Sequence, residues 1–349
     1  MNTSLPQSGA ERNLRRLFIP LAAALLCGLL QTSVHAADSA VILMYHRFGE
    51  TGHPSTNIAL EQFAAHLAEL EDEKYTVLPV PEILSALKSG KPLPDNTIGI
   101  TIDDAFRSVY TEAYPRLKKR NLPFTLFIAT EPVDKRLPDY MTWDQVRELR
   151  DNGVVIGSQT HSHLHMALQG ATASRRDLTE SNARFQAELG SVPKLLAYPY
   201  GEASLDVMDV ARDLGFDFAF GQHSGVLHRT SNSYFLPRFA FNEDYGSVSR
   251  FRLVANALPL PVDDLAPRDP LLTENPPAFG FTVAETIHNL GRLSCYHSKH
   301  GKVRLERLGQ HRVEVRFPGP FDTGRSRLNC TLPGPEDRWR WFGLQFYVK

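Results

Sequence analysis

Two adjacent carboxylates and a group of three histidines are the residues of this chain best suited to chemistry. Asp103 and Asp104 directly follow the apolar segment 97–102. The histidines come further along the chain, at His161, His163 and His165. Carboxylate and imidazole ligands without cysteine suit a divalent metal ion that keeps an open coordination position. A carboxylate left free beside that ion would be the general base that hydrolysis needs.

The aspartate pair also has a structural explanation, because an N-cap followed by a first-turn acid gives the same pattern at the start of a helix. We favour the metal site, since a strand precedes the pair and the histidines follow it. Asp104 is then the metal ligand and Asp103 the general base. His161 and His165 are four residues apart and would share one face of a helix. Which two of the three histidines bind the metal stays open at this stage.

Apolar strands and amphipathic helices alternate along the first two thirds of the chain, which is typical of an α/β fold with a parallel sheet. The predicted strands are 40–45, 97–102, 124–129, 154–156, 194–198, 216–220 and 235–240, and the predicted helices are 60–70, 83–88, 105–120, 143–152, 175–189 and 206–214. Polar groups follow several of these strands, as at His46 and in the segment 198–201. A (β/α) barrel places its active site at the carboxyl ends of its strands. We therefore predict a distorted (β/α) barrel.

The chain divides into four predicted segments. Residues 1–36 have the pattern of a signal peptide cleaved between Ala36 and Ala37, with an uncleaved anchor as the alternative. Residues 37–258 form the barrel, and the Pro-rich stretch 259–277 is a linker. Residues 278–349 alternate with period two and predict a small antiparallel β module. The signal implies export to the periplasm or cell envelope.

Cysteine and charge distinguish the C-terminal part. Cys27 leaves with the signal, so Cys295 and Cys330 remain, and an exported pair most often forms a disulfide; two buried thiols are the alternative. Residues 291–349 carry an excess of Lys and Arg, whereas the rest of the mature chain is acidic. The basic part would suit an anionic glycan or envelope surface, or is simply solvated. Nothing in the composition indicates nucleic acid as a partner.

On three motifs the chain resembles the polysaccharide deacetylases with a NodB homology domain, carbohydrate esterase family four. Residues 101–105 (TIDDA) look like the family's Thr-Phe-Asp-Asp-Gly, and 161–165 (HSHLH) match His-(Ser/Thr)-x-x-His. Residues 197–201 (AYPYG) resemble Arg-x-Pro-Tyr-Gly. The order and spacing fit over residues 40–241. The resemblance is greatest to the branch acting on exported N-acetylglucosamine polymers, which also has a Met-Tyr-His strand like the one ending at His46.

This resemblance implies an exported, metal-dependent enzyme that removes N-acetyl groups from a polysaccharide containing N-acetylglucosamine. The implied ion is zinc, with cobalt or nickel as alternatives. The family analogy makes Asp103 the base, the backbone N–H of Tyr200 an oxyanion donor, and His46 or His223 the general acid. The remaining residues of the third motif would contact substrate: Tyr198, Pro199 and Gly201, together with His223.

Three departures from the family pattern bear on activity. In the family, the first metal histidine lies two residues after an Ile-Gly pair and the second four residues later. Counted from the Ile-Gly pair at 156–157, these two positions are Gln159 and His163. Either the histidine pair is shifted by two residues, or Gln159 replaces a ligand and another histidine compensates. Ala197 stands where the family has an arginine that orients the base. Arg238 would reach in from a neighbouring strand end, or else form a surface salt bridge. Ala105 replaces a glycine.

Two other functions fit the same motifs. A catalytically silent glycan-binding protein would keep the barrel and lose full metal coordination, and an O-acetyl polysaccharide esterase would differ only in its substrate. In the C-terminal module, Trp339 and Trp341 share one face of a predicted strand. They predict either a platform for stacking sugars or the module's own core.

Overall fold

The structure is a computed structural model that describes residues 36–349. Almost all of the signal peptide predicted at 1–36 lies outside the described residues. Within the described part, no helix is both long and apolar enough to cross a membrane.

The first two thirds of the described chain alternate between strands and helices. The strands are β1 (Ala36–Ala37), β2 (Ser39–Tyr45), β3 (Arg47–Phe48), β4 (Asn57–Ile58), β5 (Thr76–Val77), β6 (Leu93–Pro94), β7 (Thr97–Ile102), β8 (Thr125–Ile128), β9 (Val155–Ser158), β10 (Leu195–Ala197), β11 (Phe218–Phe220), β12 (Leu227–His228), β13 (Phe239–Ala240) and β14 (Leu258–Pro259). The helices are α1 (Leu60–Glu69), α2 (Val80–Ser89), α3 (Tyr114–Lys119), α4 (Thr130–Asp134), α5 (Trp143–Asp151), α6 (Met166–Leu189), α7 (Leu205–Asp213) and α8 (Val248–Ala255).

Parallel strands form a distorted barrel, which confirms the predicted fold class. The strand order β11-β10-β9-β8-β7-β2 is parallel at every step. Residues 236–240 complete the ring, because Leu236 bridges to Phe220 of β11 and β13 pairs in parallel with β2. Only β2 separates this closing segment from β7, at the end of which the aspartate pair lies.

Burial explains why the strands are continuous apolar runs. All six residues of β7 are buried, as expected for a parallel strand covered on both faces. The surrounding helices are amphipathic; α5, for example, begins at the N-cap Thr142 and buries Trp143, Val146 and Leu149 toward the barrel.

The helices next to the site differ from the predicted ones. The helix predicted to begin directly after the aspartates starts later, with a π-helical turn at Val109–Ala113 that continues into α3. The helix predicted at 175–189 is part of α6, which begins at Met166 and is interrupted at Gly170 (φ 78°). Positive φ values at Asp104 and Ala105 exclude a helix at that point.

The C-terminal part is a largely antiparallel sheet. Its further strands are β15 (Val262–Ala266), β16 (Leu271–Leu272), β17 (Phe279–Val283), β18 (Ser294–His297), β19 (Gly301–Leu308), β20 (Arg312–Arg316), β21 (Gly324–Pro333) and β22 (Trp339–Val348). The segment 259–277, expected as a linker, is not free: β14 and β16 pair with β22, and β15 pairs with β17. These pairings favour a module that starts near Leu258, because backbone groups that pair in the sheet belong to it.

The predicted Cys295–Cys330 disulfide is present. The two residues lie directly opposite each other on β18 and β21, and both are fully buried. The bridge therefore joins two central strands of the module.

Candidate active site

Asp103 lies where β7 ends. Its backbone N–H donates to the Tyr45 carbonyl at the end of the neighbouring strand β2 (2.9 Å). The side chain is fully buried, and both carboxylate oxygens accept hydrogen bonds from Arg238, at 2.7 Å for Nη1–Oδ1 and 2.9 Å for Nη2–Oδ2. This bidentate, charge-assisted pair fixes the plane of the carboxylate.

Arg238 reaches Asp103 from the segment that closes the barrel. It is fully buried, and two further N–H groups are used: Nε donates to the Gly221 carbonyl at 3.0 Å and Nη1 to Thr101 Oγ1 at 3.1 Å. The sequence left open an inward or a surface position for Arg238, and the structure places it inside. A buried guanidinium satisfied in this way stays paired with the carboxylate in one geometry.

Asp104 turns away from the sheet in the left-handed region (φ 73°). Its carboxylate Oδ1 lies 3.2 Å from His163 Nε2. Oδ1 is buried, yet it accepts no hydrogen bond of good geometry from the described residues. Burial opposes ionisation of Asp104, but the contact with His163 and the nearby basic side chains of His46 and Arg47 outweigh it and lower its pKa.

His163 is the histidine that faces this carboxylate. Burial alone would lower the pKa of His163, but the contact with Asp104 and the surrounding carboxylates reverse the effect and raise it. The ring also packs edge-on against Tyr200, with 4.5 Å between centroids. Asp104, His163 and Tyr200 thus form one contiguous surface.

The atoms of Asp104 and His163 suit a shared metal ion. Two ligands of a tetrahedral zinc, each about 2.0–2.2 Å from the ion, lie roughly 3.3 Å apart; here Oδ1 and Nε2 are 3.2 Å apart, and Oδ1 has no other partner. Among the described residues, no third protein ligand joins Asp104 and His163. Among residues 36–349, no group of three or more His, Cys, Asp or Glu could hold a metal ion. Asp104 and His163 are therefore two candidate ligands for a divalent ion, one fewer than a catalytic zinc site usually has.

Gln159 lies beside this pair. Its Oε1 accepts a hydrogen bond from the Asp104 backbone N–H (2.9 Å), whereas its buried Nε2 has no acceptor among the described residues. The amide oxygen is thus committed to the backbone that shapes the aspartate turn. Gln159, two residues after the Ile-Gly pair, therefore lies at the site, but it carries an amide instead of an imidazole.

The other two histidines of the cluster have different partners. His161 contacts Thr130 Oγ1 (2.8 Å, Nδ1) and Glu180 (3.3 Å, Nε2). His165 Nδ1 contacts the buried Glu202 (2.9 Å), and its ring stacks on Tyr200 at 3.9 Å. These contacts do not favour His161 or His165 as metal ligands, although both were candidates.

The two candidate acids are placed differently. His46 Nε2 lies 3.8 Å from Asp103 Oδ2, and its side chain is partly exposed. His223 is buried against Phe235, and its Nδ1 has no hydrogen-bond partner among the described residues. Burial, with the positive charge of Arg238, lowers the pKa of His223 to about 3, so its ring is neutral. Of the two, His46 is the one that faces the base.

Tyr200 projects from a tight turn at the end of β10. Its backbone is left-handed (φ 60°, ψ 4°), and Gly201 follows with φ 70°. A Cβ at position 201 would lie 2.5 Å from the backbone nitrogen of Gln222, so only glycine fits there. Pro199 is buried, and Tyr198 is fully buried with its hydroxyl donating to the Tyr234 carbonyl (2.9 Å). Tyr198 and Pro199 therefore support the turn, and Tyr200 faces the site.

Sequence reasoning missed two residues at this turn. Glu202, which is buried, holds His165, and Gln345 of β22 donates to the Tyr200 carbonyl (3.0 Å). Glu202 directly follows the third motif, and this position could have indicated from the sequence that it is a site residue. Gln345 carries no such signal, because it lies in an ordinary alternating strand.

Comparison with known proteins shows similarity in sequence and in fold. Residues 90–219 match the polysaccharide deacetylase family model. The poly-β-1,6-N-acetyl-D-glucosamine N-deacetylase of Staphylococcus aureus strain MSSA476 is 26% identical over 235 residues, covering 59% of this chain and 80% of that protein.

Solved structures share the fold. IcaB from Ammonifex degensii is 26% identical with a TM-score of 0.57, covering 64% of this chain and 99% of its own. The Streptococcus pyogenes deacetylase PplD, solved with acetate, is 20% identical with a TM-score of 0.58, covering 63% of this chain and 99% of its own. The second likeness is one of fold alone.

Proposed function

We propose that this chain, whose residues 90–219 match the polysaccharide deacetylase family model, removes N-acetyl groups from an exported polysaccharide containing N-acetylglucosamine. The observation that carries the proposal is the grouping of four side chains: Arg238 pairs with Asp103 where β7 ends, and His163, in the loop after β9, faces Asp104. The activity named for the Staphylococcus aureus relative supports the choice of substrate.

The proposed reaction is hydrolysis of an acetamide. Water attacks the acetyl carbonyl carbon, the C–N bond breaks, and acetate and a free amine leave. Asp103, oriented by Arg238, takes the proton from the water, and His46 gives a proton to the departing nitrogen. The backbone N–H of Tyr200 would donate to the developing oxyanion.

Asp104 and His163 would hold a divalent ion, with zinc as the first choice and cobalt or nickel as alternatives. Such an ion supplies Lewis-acid polarisation of the carbonyl and lowers the pKa of water toward about 7. The predicted signal segment and the basic C-terminal module support export to the periplasm or cell envelope.

The test is acetate release by the mature protein from N-acetylglucosamine oligomers and from O-acetylated xylan, with Zn²⁺, Co²⁺ or chelator added. Metal-dependent release from the amide substrate is expected. Release from xylan alone would replace the proposal with an esterase. The variants Asp103→Asn and Asp104→Ala separate the roles: the first should keep metal and lose turnover, whereas the second should lose metal as well.

Gln159 favours one alternative function. Because an amide stands where the family has its first metal histidine, a silent glycan-binding protein on the same barrel is the second candidate. Equilibrium dialysis of the pure protein against Zn²⁺ distinguishes the two. Failure to bind the ion, combined with binding of N-acetylglucosamine oligomers, would establish the binding protein.

A further inference from the structure

Strand β22 of the C-terminal module contacts the barrel with alternate residues. Trp341 packs edge-on against Phe239 of β13, with 5.2 Å between ring centroids. Gly343 approaches the barrel so closely that a Cβ there would lie 1.9 Å from the Ser224 carbonyl oxygen. Because side chains alternate along a strand, the next residue on this face is Gln345.

Gln345 ends this row at the candidate active site. It is buried, and its Nε2 donates to the Tyr200 carbonyl at 3.0 Å. Arg327 of β21 donates from Nε to Gln345 Oε1 at 3.1 Å. A guanidinium can only donate, so the amide oxygen must face Arg327 and the amide NH₂ must face Tyr200. The module therefore sets the direction of this hydrogen bond.

The Tyr200 turn needs support because its backbone conformation is unfavourable. A non-glycine residue in the left-handed region is strained and persists only where its surroundings hold it. On one side His165 stacks on the Tyr200 ring. On the other side the module supplies Gln345, and Arg325 of β21 approaches Glu202 of the same turn at 3.7 Å.

We propose that the C-terminal β module is a working part of the active site, in which Gln345 is a positioning residue that fixes Tyr200 beside His163. The inference rests on the proposed function for its kinetic readout. The barrel and the module are then one catalytic unit, and Gln345 acts on turnover through Tyr200 without contacting substrate.

Two substitutions of Gln345 separate positioning from packing. Gln345→Glu keeps the size and the acceptor for Arg327 but removes the donor to Tyr200, whereas Gln345→Met removes both. We expect kcat for acetate release to fall at least about tenfold in both variants, with KM changed less than about threefold, because the turn is displaced while the rest of the binding surface stays.

Asn329→Asp is the matched control. It makes the same amide-to-carboxylate change on β21, where Asn329 Oδ1 accepts from Trp341 Nε1 (3.0 Å), and aspartate still accepts there. This variant should keep wild-type kcat. The thermal unfolding midpoint of Asn329→Asp also measures how much stability the module loses when a carboxylate replaces an amide. A comparable midpoint in Gln345→Glu would show that this variant is folded.

Hydrogen exchange gives a readout that does not need activity. Backbone amides of residues 200–203 should exchange faster in Gln345→Glu than in wild type or Asn329→Asp. If wild type releases no acetate, the proposed function fails while exchange still decides the positioning role. Unchanged exchange at 200–203 in Gln345→Glu, or an unchanged kcat in an active enzyme, overturns the inference.

Discussion

Single residues decide how the two adjacent aspartates differ. Asp103 points into the barrel and is paired on both oxygens with Arg238, whereas Asp104 turns outward and meets His163. The aspartates were identifiable from their strand and their spacing to the histidines. The partner of Asp103 could not be identified from the sequence, because Arg238 lies 135 positions later and only the closure of the barrel brings the two residues together.

Arg238→Lys tests whether bidentate geometry matters for turnover. A lysine keeps the charge but offers one compact ammonium, so the carboxylate plane of Asp103 is no longer fixed. We expect kcat to fall by about tenfold or more with a folded protein. Steady-state acetate release with a thermal-unfolding check measures this.

Arg238→Ala is the comparison for that prediction. Removing one partner of a buried ion pair leaves an unpaired buried charge, which costs about 3–5 kcal/mol. Urea unfolding should report this loss for alanine and a smaller one for lysine. Equal kcat in wild type and Arg238→Lys would show that the charge suffices and the geometry does not matter.

Gln159→His tests the missing metal ligand. An imidazole at this position would join Asp104 and His163 and give the three protein ligands typical of a catalytic zinc site. We expect the Zn²⁺ dissociation constant to tighten by roughly tenfold or more. Equilibrium dialysis with Zn²⁺ alone measures it.

Two histidine variants serve as references for the metal experiment. His163→Gln should abolish Zn²⁺ binding, because it removes the imidazole that faces Asp104 Oδ1 and would share the ion with it. His161→Gln should leave affinity unchanged, since His161 contacts Thr130 and Glu180. A loss of affinity in His161→Gln would instead shift the metal histidine pair two residues later in the sequence, to His161 and His165.

At the scale of elements, the barrel strands were predictable and the docking of β22 was not. Continuous apolar runs such as β7 identify strands buried on both faces. The alternation in β22 predicts two faces but not what each face meets, and Gln345 contacts a residue 145 positions away. Trp341, left open as sugar platform or module core, packs against the barrel residue Phe239.

The disulfide gives a prediction about the module. Cys295 and Cys330 close a loop with a sequence separation of 35. In the chain-entropy description a loop of this size is worth about 3–4 kcal/mol, because the cross-link restricts the unfolded chain. The double variant Cys295→Ala/Cys330→Ala should lose stability of that order in urea unfolding.

Reduction provides the control for the disulfide. Wild type under strong reductant should approach the double variant, whereas the double variant itself should not respond to reductant. If both cysteines were free thiols in the purified protein, reductant would leave wild-type unfolding unchanged and the bridge would be absent.

At the scale of the whole molecule, barrel and module each bury a histidine that folding keeps neutral. In the barrel, Tyr45 O–H donates to His66 Nδ1 (3.0 Å) and His66 Nε2–H donates to the Gly246 carbonyl (2.9 Å), so the neutral ring is fully used. In the module, His297 contacts Ser326 Oγ (2.7 Å). Burial lowers the pKa of His66 to about 4 and that of His297 to about 4.

These lowered values predict acid sensitivity of the fold. In the unfolded chain a histidine takes up its proton near pH 6.5, whereas in the folded protein it does so near pH 4. Between these values the unfolded state binds more protons, so stability is complete above about pH 6.5 and falls as pH decreases toward 4. Each such histidine contributes a slope of up to about 1.4 kcal/mol per pH unit.

Urea unfolding of His66→Gln at pH 7, 6 and 5 isolates one of these contributions, because glutamine can still donate to the Gly246 carbonyl but does not titrate. The variant should lose less stability per pH unit than wild type, by about 1 kcal/mol. His53→Gln makes the same substitution at an exposed position and is the matched control. Parallel slopes in wild type and His66→Gln would mean that His66 takes up its proton equally in both states, and that the acid response of the barrel comes from other groups.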